Sequence, residues 1–110
     1  MKILASVLMF GVLGAPALAA TFNDVPVIDV SCSRKGAADA DAHTRECALA
    51  CEKGGFGIFT ADNKFLKFDA KGNAKIIEEL KASEKTDHLR VNVTGEVQGG
   101  TLKVASVTLM

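Results

Sequence analysis

A mainly β domain of five strands and two helices, closing as a small barrel, is what three features of the chain predict. Short β-branched or aromatic runs recur with turn residues between them. Two alternating strands joined by Gly99-Gly100 end the chain. In the last of these the apolar phase slips by one residue, which is the bend a closing barrel strand requires.

The elements follow in order. Residues 25–30 are compact and β-branched and form the first strand, with Pro26 confined to a strand start or an edge because it has no N–H for the ladder. Residues 31–38 are loop. Asp39 or Asp41 then caps a helix that runs to about Glu52 and stops at Gly54-Gly55. Residues 56–60 and 64–68 flank Ala61-Asp62-Asn63 and make a hairpin. Residues 69–73 read as a turn, with Asn73 as N-cap of a second helix over 74–85 in which Ile76, Ile77 and Leu80 share a face. In the next strand Leu89, Val91, Val93 and Val97 point one way while Arg90, Asn92, Thr94, Glu96 and Gln98 point the other. The final strand moves from Leu102 and Val104 to Val107 and Leu109, which marks a bulge near Ala105-Ser106.

Five strands with a helix between the third and fourth is the order of the OB-fold, a five-stranded Greek-key barrel. The first helix is then an insertion between strands 1 and 2, on the rim where such barrels hold ligands. A small α+β sandwich of the same elements is the alternative.

The first residues have the layout of a secretory signal peptide. Lys2 supplies a positive start, residues 3–13 are uncharged and apolar, and Ala17-Leu18-Ala19 satisfies the small-residue cleavage rule, with the cut expected between Ala19 and Ala20. The run falls short of the roughly 20 apolar residues of a membrane span, and no cysteine stands at the cut to take a lipid. The expected product is one exported domain, residues 20–110, periplasmic or secreted, monomeric and without a membrane anchor after processing. It carries 12 basic and 13 acidic residues and no Trp or Tyr. Nucleic-acid binding needs a basic footprint and exposed aromatic platforms, so that class of function is excluded.

The chemistry is concentrated between Cys32 and Cys51, a stretch holding all three cysteines and one of the two histidines. On a single helix His43, Cys47 and Cys51 lie four apart and share one stripe. Cys32 precedes the helix by enough loop to fold back onto it. Three chemistries fit. Three thiolates and an imidazole are the donor set of a tetrahedral zinc site, and soft sulfur also suits copper, giving Cys32, His43, Cys47 and Cys51 as metal ligands. An oxidising compartment favours instead a disulfide. Helical Cβ atoms four apart are about 5–6 Å from each other, too far for the roughly 3.5–4.5 Å a bridge needs, so Cys32 pairs with Cys51 or Cys47, Cys51 being preferred. In the third, Cys47 stays free one turn from His43 as a redox-active thiol.

The remaining candidates are structural: His88 as a solvated polar residue, the Asp62-Asn63 and Asp69-Gly72-Asn73 segments as turns without EF-hand spacing, and Asn92-Val-Thr94 as a mid-strand sequon. The chain also resembles a family of small exported bacterial proteins of unassigned function. The likeness lies in Asp29-Val-Ser-Cys32, His43 followed by Cys47-Ala48 and Cys51, Gly54-Gly55 and the hairpin with Asp62-Asn63 at its turn. The family pattern is Asp-x-x-Cys, His-x-x-Cys-Ala-x-x-Cys and Gly-Gly-x-Pro; here the Cys/His spacings are one residue longer and Gly57 stands at the proline. The resemblance implies an OB-like exported domain with a shared Cys/His site. The expected function is non-enzymatic binding of a metal or small ligand, with a redox-active or disulfide-stapled domain as the competing class.

Overall fold

The computed structural model describes residues 18–110; the body of the expected leader, residues 1–17, lies outside them. Strands β1 (Leu18–Asp29), β2 (Phe56–Phe59), β3 (Phe65–Phe68), β4 (Arg90–Gln98) and β5 (Thr101–Leu109) close into a barrel in the order β1-β2-β3-β5-β4. All pairings are antiparallel except β3 with β5. That is the OB-fold order, with helices α1 (Ala37–Ala42) and α2 (Arg45–Ala50) between β1 and β2 and α3 (Ala70–Ala82) between β3 and β4.

Two bulges bend the sheet into closure. In β5, Thr94 pairs with Ser106 and Gly95 with Val104, leaving Ala105 as the extra residue where the phase slip predicts it. In β1, the register shifts between Phe22 and Val25, and Asp24 takes φ 56°. This second bend lets the later half of β1 pair with both β2 and β4 while the earlier half pairs with β4. The strand therefore begins well before residue 25: the segment from Leu18 completes the ladder on the far half of β4, and the expected cleavage position falls within it.

The barrel interior is filled by Val25, Val27, Phe56, Ile58, Phe68, Val91, Val93 and Leu102, with Ile76 and Leu80 of α3 packed into the same core. Helix α3 starts four residues ahead of expectation. Asp69 is its cap: Oδ1 accepts from the Gly72 N–H at 3.0 Å and from the Val104 N–H at 3.2 Å, so one carboxylate starts the helix and pins it to β5. A Cβ on Gly72 would collide with the Val104 side chain, and glycine is what lets that first turn approach the strand. Asn73, expected as the cap, lies inside the helix and accepts from the Phe56 N–H at 2.8 Å.

The larger correction concerns the cysteine segment. The single helix expected from Asp39 or Asp41 to Glu52 is two short helices, separated by His43 and Thr44 in extended conformation. Thr44 causes the break. Its hydroxyl accepts from the Cys47 N–H at 3.1 Å and starts α2 afresh, an N-cap competing with helix continuation. The helical phase is lost there, so His43 does not share a stripe with Cys47 and Cys51.

Candidate metal centre

Asp29 ends β1 in phase with Val25 and Val27, and it is the one ionisable side chain buried outright among the described residues, at 0% exposure. A carboxylate removed from water costs several kcal/mol unless other groups replace its hydration. Here they do. Ser31 Oγ donates to Oδ2 at 2.5 Å, and His43 Nε2 lies 2.7 Å from Oδ1. Because a carboxylate has no hydrogen to give, Nε2 carries the proton in this pair.

The chain arrives at this arrangement through local geometry. After Asp29 it coils into a 3₁₀ turn, Val30–Lys35, in which Ser33 Oγ donates to the Val30 carbonyl at 2.8 Å. That turn carries Ser31 and Cys32 back over the end of β1. Gly36 at φ 93° reverses the chain into α1, which lies against β1 through the fully buried Ala40. Helix α1 is held at its far end by Arg90 of β4. The guanidinium reaches both oxygens of Asp41 at 2.9 and 2.8 Å and, through Nε, Asp24 Oδ1 at 2.7 Å. Burial works against the charge of Arg90, and the two carboxylates more than offset it, so the group is held above its ordinary range. His43 leaves α1 two residues beyond Asp41 and lands beside Asp29.

Cys32 completes the group. Its side chain is half-buried against Ile28, Ala40 and Phe59. Burial, and then the neighbouring Asp29 carboxylate, push its thiol above the usual range. The donor atoms of Asp29, Cys32 and His43 all lie within 4.8 Å of one another. A zinc ion with ligands at about 2.0–2.3 Å holds them about 3.3–3.8 Å apart, so the Asp29–His43 pair at 2.7 Å has to open by about 0.6–1.1 Å and give up its shared proton, while any wider gap in the cluster closes, to make a three-ligand site. The set is one sulfur, one nitrogen and one oxygen.

Of the four expected ligands, Cys32 and His43 are thus brought together, with Asp29 in place of two thiols. Cys47 and Cys51 are exposed on and just beyond α2, and all three cysteines are free thiols, so the expected Cys32–Cys51 bridge is not formed. Asp29 carried a readable signal: its alternation with Val25 and Val27 puts an acidic residue on the inward face of a strand. His88 is solvent-exposed beside Asp87, as a solvated polar residue should be.

The cluster has the composition of a Cys-His-Asp catalytic triad without its wiring. A nucleophilic cysteine needs a base that takes its proton and a depressed pKa; here His43 Nε2 is directed at Asp29, and the thiol is raised. An open cleft of about 700 Å³ lies elsewhere, over the β5 bulge beside Lys71, Glu96 and Lys103. Its carboxylate Asp69 already accepts from two backbone N–H groups. No protein-family model, curated protein or solved structure matches the chain.

Proposed function

We propose that this domain binds a single first-row transition-metal ion, zinc or copper(II), through Asp29 Oδ1, Cys32 Sγ and a ring nitrogen of His43, acting as a monomer outside the cytoplasm. The observation that carries this reading is the buried Asp29 converging with a thiol and an imidazole within 4.8 Å. Mixed S, N and O donors suit a borderline-soft divalent ion better than calcium or magnesium, which take oxygen alone. Ser31 fits the part of an outer-shell partner, since its hydroxyl fixes Oδ2, while Oδ1, bonded to His43 in the metal-free protein, is the oxygen that would take the ion as His43 gives up its proton. The leader-like start of the chain supports the location, and three protein ligands leave one coordination position for water or a fourth donor.

Titration of the reduced protein with Co²⁺, read by thiolate-to-metal absorption, tests it. One ion per chain is expected. Asp29→Asn, Cys32→Ser and His43→Gln should each lose more affinity than the 10–100-fold typical of an outer-shell change, with Cys47→Ser unaffected. Non-saturable binding, or equal binding by all four variants with the fold intact by circular dichroism, refutes the assignment.

A further inference from the structure

We propose that Cys32 and Cys51 form a thiol–disulfide exchange site for small disulfides, and that its oxidation empties the metal centre; this inference rests on the metal reading above. The two cysteines flank one seam of the fold. Asp29 pairs with Phe56, and the Val30 N–H donates to the Gly55 carbonyl at 2.8 Å, so the chain just before Cys32 is bonded to the chain just after Cys51. Cys51 stands at the end of α2 with non-helical φ −107° and ψ 21°, ahead of a 3₁₀ turn, Glu52–Gly54. Cys51 lies four residues before Gly55 and Cys47 eight, inside α2, so Cys51 is the nearer of the two to that seam along the chain.

Access sets the order of events. Cys51 is exposed and Cys32 half-buried. The Cys51 thiolate attacks one sulfur of a small disulfide RSSR, forming a mixed disulfide and expelling RS⁻. The Cys32 thiolate, released from the ion, then attacks the Cys51 sulfur and expels the second RS⁻. Two cysteine thiols lose two electrons and two protons, and RSSR becomes two RSH. Asp29 and His43 remain as two donors, which is too few for a stable site. The closed loop contains α1 and the His43–Thr44 break, so a bridge also tethers the segment that positions His43.

The experiment loads reduced protein with Co²⁺, adds glutathione disulfide, and follows metal absorption together with peptide mapping of the cysteines. Wild type should lose at least about tenfold in Co²⁺ affinity, the lower limit for disturbing such a site, and yield a Cys32–Cys51 peptide. Cys47→Ser should behave as wild type, and Cys51→Ser should keep its metal. Retention of Co²⁺ by oxidised wild type, equal loss from Cys51→Ser, or a bridge to Cys47 overturns the gate alone. Reduced wild type that never binds Co²⁺ overturns the metal reading and the gate with it.

Discussion

Asp29, Cys32 and His43 show how much a single side chain's surroundings decide. The alternation of Val25, Val27 and Asp29 is readable from the chain, and so is the short Asp-x-x-Cys step. What is not readable is that Ser31 and His43 converge on the same carboxylate, because that depends on a helix break fourteen residues beyond Asp29. The raised Cys32 thiol makes two predictions. Alkylation at neutral pH should label the exposed Cys47 and Cys51 before Cys32, and mass mapping of a time course checks this. The folded state also holds the Cys32 proton more tightly than the unfolded chain does. Its contribution to stability is therefore complete below the ordinary thiol value of 9.0 and lost as pH rises toward the higher folded value. Thermal melts of the metal-free protein should fall more steeply above about pH 9 for wild type than for Cys32→Ser; parallel curves contradict the burial of that thiol.

Among the elements, the hairpin 56–68 and the alternating pair β4 and β5 follow from local pattern, since turn residues and phase specify them without long-range help. The helices do not. Helix α3 begins at Asp69 because that carboxylate also meets Val104 from β5, a contact no local pattern announces. Helices α1 and α2 are separate because Thr44 caps more strongly than residues 43–44 propagate a helix. Thr44→Ala should cost about 1 kcal/mol in α2. Arg90 is the longer-range device, tying α1 to β1 and β4 through Asp41 and Asp24. Arg90→Gln should cost about 1–3 kcal/mol in urea unfolding and, because Asp41 lies two residues before His43, should weaken Co²⁺ binding as well. Unchanged binding at lowered stability would show that Arg90 acts on the fold alone.

For the whole molecule, the order of strands and the β5 bulge establish the barrel, and the cysteine segment is an insertion folded across the end of β1. Barrel closure is specified by many residues acting in phase. The site is specified by three residues from one strand end, one 3₁₀ turn and one helix end, so small shifts in α1 alter it. An ion bound to the native state alone stabilises it by mass action, about 2.7 kcal/mol at a hundredfold excess over Kd. For a domain of this size that corresponds to about 10–20 °C in Tm. Chelator should reverse the gain in wild type and leave Asp29→Asn unmoved, as differential scanning fluorimetry will show.

X-ray absorption at the zinc edge of the reduced, zinc-loaded protein reads the donor set itself. One sulfur at about 2.3 Å with nitrogen and oxygen at about 2.0–2.2 Å is the predicted spectrum. A shell of three sulfurs, or none, would contradict a centre built on Asp29, Cys32 and His43.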